Sequence, residues 1–188
     1  FAFYNELILR LEDPRLRLFL YNIPKHSGVS VTATLFARLL DAHPGIVEGI
    51  KDSSGDWASL EKLIAAFPGQ TIFSGSERLM LKTLRAGGKG CIAGTANALA
   101  PLLQRLYRDW SKPEADALQR SVDDARSVLE GTSLVPALKA LTARRTSDRA
   151  WRNVLPPFVA LTPVAERALC SKLEAARFFD LVPEMKAA

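Results

Sequence analysis

The chain has 188 residues, 48% of them apolar and 24% charged, with a formal charge of +5. That is enough for one domain with a sizeable core, or a domain with a small appendage, and too apolar for disorder. No apolar run approaches the ~20 residues that span a bilayer, and the positive surplus is divided between both halves of the chain, which argues against a nucleic-acid surface.

The sequence opens on Phe1 with no charged-then-apolar leader, so the expectation is a chain processed, truncated or recorded without its start. Phe3–Leu11 reads as the tail of a helix, which implies a strand ahead of it. Four short apolar runs follow: Leu18–Tyr21, Val47–Ile50, Thr71–Ser74 and Cys91–Ala93. Continuous apolarity over four or five residues suits strands buried on both faces. Each run precedes a helical pattern. Thr32 caps a stripe of Leu35, Phe36, Leu39 and Leu40 that stops at His43-Pro44-Gly45. Asp56 caps Trp57, Leu60, Leu63, Ile64 and Phe67, stopped by Pro68-Gly69. Ser76 leads into Leu79, Met80, Thr83 and Leu84, stopped by Gly87-Gly88, and Pro101 opens a helix towards Trp110.

This alternation is that of a parallel sheet covered by helices. Without glycine-rich phosphate fingerprints, a dinucleotide-binding fold has little support. From Pro113 the strand pattern ends. Helices are predicted over Pro113–Leu129, Leu134–Leu141 and Val164–Phe178, the last capped by Thr162-Pro163, with Asn153–Phe158 extended by its prolines. The strand-and-helix part is expected over residues 1–110 and a helical appendage over residues 111–188.

Arg144, Arg145, Arg149 and Arg152 cluster, but Asp148 sits among them and no aromatic platform accompanies them, so a solvated loop is expected. Cys91, Cys170, His26 and His43 show neither zinc spacing nor a disulfide framework, so no metal and no cofactor are expected. Cys91 reads as a small core hydrophobe, and a reducing, cytoplasmic setting follows.

Two strand ends carry reactive groups. Lys51 ends the run Ile46–Ile50, and Tyr21 ends the run Leu18–Leu20. A desolvated lysine loses proton affinity and becomes a nucleophile towards carbonyl carbon, although a strand-end lysine can also snorkel to solvent. A phenol beside it can relay protons, or can simply be a rim tyrosine. The carboxyl ends of parallel strands are where barrel enzymes place their chemistry.

The residues Tyr21-Asn22-Ile23-Pro24, Ser27-Gly28 and Gly49-Ile50-Lys51-Asp52-Ser53-Ser54-Gly55-Asp56 resemble the dihydrodipicolinate synthase/N-acetylneuraminate lyase family of class I aldolases. Phe73-Ser74-Gly75-Ser76, the stretch Ala86–Asn97 and Pro156-Pro157 extend the match. The resemblance implies a (β/α)8 TIM barrel, of which only the later βα units are present, followed by a C-terminal helical domain and assembled as a homotetramer. It makes Lys51 the Schiff-base lysine and Tyr21 the proton relay. Gly75 and the Ile92 backbone line the 2-oxo acid site, and Ser53 contacts the rest of the substrate; for Ser53 and Gly75, ordinary loop chemistry stays open.

Two departures matter. Where dihydrodipicolinate synthases of this family hold a carboxylate with arginine, this chain has His26, which lacks the bidentate fork. The family's carboxylate-cradling loop and second relay tyrosine belong to the first half of the barrel, so a longer molecule is expected. The leading expectation is a lyase that joins or cleaves a carbon–carbon bond of a 4-hydroxy-2-oxo acid through a Schiff base with pyruvate or a relative. Its partners are small 2-oxo acids and aldehydes, with no nucleic acid and no membrane. The alternatives are a dihydrodipicolinate synthase with an altered anchor, and a non-catalytic protein on the same scaffold.

Overall fold

Thr32 and Asp56 act as the sequence predicts: Thr32 Oγ1 accepts from Leu35 N and Asp56 Oδ1 from Ser59 N, closing the starts of two helices. The computed structural model describes residues 1–182. They form two units that divide after Ile92.

The first unit runs α1 (Ala2–Leu11), β1 (Leu18–Asn22), α2 (Pro24–Ser27), α3 (Ala33–Ala42), β2 (Val47–Asp52), α4 (Trp57–Ala66) and β3 (Thr71–Ser74). A 3₁₀ turn at Glu77–Leu79 then leads into α5 (Met80–Arg85) and β4 (Gly90–Cys91). The four strands are parallel in the order β1-β2-β3-β4. Leu20, Ile50 and Ile72, at most 1% exposed, face the helices and pack with Ile8, Phe36, Leu39, Leu60 and Ile64. Each such side chain contributes about 1.5–3 kcal/mol by leaving water.

Within the span of this chain, Phe19 and Tyr21 of β1 are 45% and 47% exposed. Alternation sends these two to the face opposite Leu20, and the helices of this unit cover only the Leu20 side. On the open face Phe19 and Phe73 approach across Gly49, with ring centroids 6.2 Å apart. A Cβ on Gly49 would lie 1.9 Å from the Thr71 carbonyl oxygen and 2.9 Å from the Phe19 ring, so no larger residue fits there.

The second unit is helical: α6 (Ala96–Asp109), α7 (Ala115–Glu130), α8 (Leu134–Thr146), a 3₁₀ turn (Arg149–Arg152), α9 (Pro163–Ala175) and α10 (Phe178–Leu181). Leu99, Leu102, Leu106, Val122, Leu129, Leu141 and Leu173 form its interior. The sequence-based boundary at residue 110 and the division after Ile92 differ over α6, which packs on α7 and α8.

Several element boundaries differ from expectation. The fourth strand is Gly90–Cys91, leaving Ile92 and Ala93 beyond it. Helix α6 begins at Ala96 and contains Pro101, whose missing N–H costs only a bond to the carbonyl of exposed Asn97. Helix α8 continues past Leu141 to Thr146, where Arg144 and Arg145 suit its negative C-terminal end and Ser147 (φ 53°) stops it. Helix α9 ends at Ala175, because Arg177 at φ 56° breaks the predicted run before α10 begins.

Candidate active site

Strands β1 and β2 pair in a register that sets Tyr21 opposite Lys51 and Asn22 opposite Asp52. Side chains in register on adjacent parallel strands share a face. The Lys51 ammonium accordingly lies over the Tyr21 ring, 4.0 Å from its centroid. Hydrogen bonding by Lys51, and next by Ser53, holds the Tyr21 phenol below its ordinary value, against a smaller opposing effect of burial. A phenol so poised gives up its proton more readily while an ammonium is beside it.

The loops beyond the strands extend the ladder. Ser53 N donates to the Asn22 carbonyl at 2.7 Å, Gly75 N to the Asp52 carbonyl at 2.5 Å, and Ile92 N to the Ser74 carbonyl at 2.9 Å. Ser53 and Gly75 therefore meet: a Cβ on Gly75 would fall 1.9 Å from Ser53 Oγ and 2.7 Å from its Cα. Because the Ile92 amide is spent on Ser74, only its carbonyl and side chain can meet a ligand. Tyr21, Lys51 and Ser53 thus come together, and Gly75 abuts them through Ser53. His26 sits on α2, exposed, and its amide bonds the Ile23 carbonyl at 3.0 Å. Helix α2 itself was not read from the sequence; Pro24 at its first turn was the available signal.

Sequence reasoning also missed the pair behind the site. Asn22 Nδ2 donates to Asp52 Oδ2 at 2.5 Å in a buried setting, and Asn22 Oδ1 accepts from Val31 N at 2.9 Å. Asp52 Oδ1 takes Ser54 Oγ at 2.6 Å and Ser54 N at 3.1 Å. Each member directly follows one of the two reactive residues and faces the helices. The pair therefore ties together the two strand ends that carry the amine and the phenol. Two polar residues, each immediately after a strand-end reactive group, were the signal.

An amine, a phenol and a hydroxyl at one strand-end rim can carry out carbonyl addition, dehydration and proton relay. Among the described residues, no group of three or more His, Cys, Asp or Glu side chains could hold a metal ion, and no helix is long and apolar enough to cross a membrane. Cys91 takes no part: burial, and then Glu77, push its thiol up to about 12, and its Sγ packs on Met80 Sδ at 3.6 Å.

The sequence matches the model of the Dihydrodipicolinate synthetase family over residues 2–176. It is 34% identical over 149 residues to an uncharacterized DapA-like lyase of Chloroflexus aurantiacus, covering 79% of this chain and 48% of that protein. It is 31% identical over 167 residues to the N-acetylneuraminate lyase of Lactiplantibacillus plantarum, covering 87% and 55%. The crystal structure of dihydrodipicolinate synthase from Agrobacterium tumefaciens superposes with a TM-score of 0.79 at 31% identity, over 93% of this chain and 59% of the other. The chain spans about half the length of the curated relatives it matches. Its fold class is that of the Agrobacterium structure, a (β/α)8 barrel represented by its later βα units with helices following.

Proposed function

The chain belongs to the dihydrodipicolinate synthetase family, and from that premise we propose that it carries the nucleophile and proton relay of a class I aldolase acting on a 4-hydroxy-2-oxo acid. The observation that supports this most is the register pairing of Tyr21 with Lys51 and the 4.0 Å approach of the ammonium to the ring. In the cleavage direction the neutral Lys51 amine adds to the C2 carbonyl. Tyr21 donates a proton to the departing hydroxyl, so water leaves and an iminium remains. The phenolate then takes the C4 hydroxyl proton. The C3–C4 bond breaks, its electron pair moves towards the iminium, and an aldehyde departs. Protonation of the resulting enamine and hydrolysis return pyruvate and the free amine. Ser53 holds the phenol oxygen through this cycle, Gly75 leaves room for Ser53, and Ile92 lines the 2-oxo acid. His26 reads the far end of the substrate with single hydrogen bonds, which suit a hydroxyl better than a carboxylate.

In this reading residues 1–110 contribute to the barrel and residues 111–188, of which 183–188 lie outside the described residues, to the helical domain, within a cytoplasmic homotetramer. The free thiols of Cys91 and Cys170 suit a reducing compartment. A second reading, a dihydrodipicolinate synthase with an altered anchor, draws support from the similarity to the Agrobacterium enzyme. A panel of hydroxylated 2-oxo acids, assayed alongside the condensation of pyruvate with aspartate semialdehyde, decides between them. Activity on neither, in a folded full-length protein, would favour the non-catalytic alternative.

A further inference from the structure

Three of the four arginines expected in a solvated loop, Arg144, Arg149 and Arg152, border an open cleft of about 390 Å³ in the helical unit. Arg144, Arg149, Arg152 and Arg167 line it with Leu161, Pro163 and Glu166. Four guanidinium groups thus face one carboxylate. That carboxylate is already committed: Glu166 accepts Arg152 Nε at 3.0 Å and Nη2 at 2.7 Å. The fork clamps Arg152 in place and leaves its Nη1 without a protein partner among the described residues. Among those residues Arg144, Arg149 and Arg167 make no ion pair or side-chain hydrogen bond, and Arg144 Nε is buried with nothing to donate to. A buried N–H of a permanently charged side chain is costly to leave unpaired. Pro163 on the cleft wall opens the thirteen-residue helix α9, so the positive end of that helix adds to the same field.

We propose that this cleft binds a small phosphate-bearing molecule, with Arg144 and Arg152 as the fixed donors and Arg149 and Arg167 closing on the anion from the exposed side. Planar guanidinium forks match phosphate oxygens, and a dianion answers several such groups at once. The volume lies in the range of small-molecule sites rather than of a polymer track. The committed carboxylate and the absence of a stacking platform among the lining residues also argue against nucleic acid.

The test is calorimetric titration of the full-length protein with inorganic phosphate and with glycerol 3-phosphate, at constant ionic strength set by sodium chloride. Saturable binding of one phosphate per chain is expected. Arg144→Gln should weaken it about tenfold or more, as expected for losing a charge-assisted hydrogen bond. Because Arg144 is partly buried, Arg149→Gln and Arg167→Gln are measured beside it; both are exposed and should weaken binding severalfold with the melting temperature unchanged. Absence of saturable binding in the folded wild-type protein, or affinity unchanged in all three variants, overturns the site. So does binding of a phosphorylated oligonucleotide with an affinity that rises with its length while glycerol 3-phosphate fails.

Discussion

Replacing Asn22 with alanine should cost the protein about 3 kcal/mol while leaving Tyr21 and Lys51 chemically untouched. The side chain is 7% exposed and makes two hydrogen bonds, donating to Asp52 Oδ2 at 2.5 Å and accepting from Val31 N at 2.9 Å. A hydrogen bond to a charged group contributes about 1.5–3 kcal/mol, and orphaning a part-buried N–H costs about 1–3 kcal/mol. The two are not fully additive, because Asp52 keeps both bonds from Ser54. Turnover should fall about tenfold, since the neighbouring phenol and amine lose the tie that holds their strand ends level. The assay is a denaturant midpoint combined with steady-state kinetics on the full-length protein. A double-mutant cycle with Asp52→Ala should show a coupling of at least about 1 kcal/mol. A loss below about 1 kcal/mol with no coupling would show that the pair does not hold the strand ends, and the positioning argument would fail.

Tyr21→Phe keeps the ring and removes the hydroxyl, so stability should change little while turnover falls about 10²–10⁴-fold; unchanged turnover would make Tyr21 a rim tyrosine only. Lys51→Met should raise the Tyr21 phenol towards its usual value near 10, because Lys51 is the first cause of its depression. A tyrosinate absorbance titration, differenced against Lys51→Met/Tyr21→Phe, reads this shift. The sign for stability follows. A phenol lowered in the fold stabilises fully above its unfolded value and loses that contribution as pH falls through its folded value, so Lys51→Met should cost stability at alkaline pH through this route and not near neutrality. His26→Arg should shift the ratio of activities towards aspartate semialdehyde by restoring a planar fork, and a ratio left where it was would remove His26 from substrate recognition.

Caps and periodicity made the first unit readable. Thr32 and Asp56 each cap where the sequence places them, because a short side-chain oxygen ahead of an apolar stripe has one favourable use, and Ser76 caps the 3₁₀ turn that leads into α5. The pairing of Tyr21 with Lys51 was legible only as two strand ends; the register that makes them neighbours is a long-range property that neither segment contains. Asn22 and Asp52 escaped notice for the same reason, since each looks like an ordinary turn residue until the other is set opposite it. Helix α8 outran its apolar stripe because charge at its C-terminus, rather than periodicity, carries its last turn. Arg144, Arg149 and Arg152 read as a solvated loop because sequence shows their charge but not the cleft they border with Arg167.

The central claim, that Lys51 is the carbonyl nucleophile, is tested most directly by incubating the full-length protein with pyruvate and borohydride and locating the added mass by peptide mapping. The account predicts a secondary amine on Lys51, absent from Lys51→Arg, which keeps the charge but offers no usable amine. A modification that persists in that variant, or that maps to Lys25 or another lysine, would contradict it.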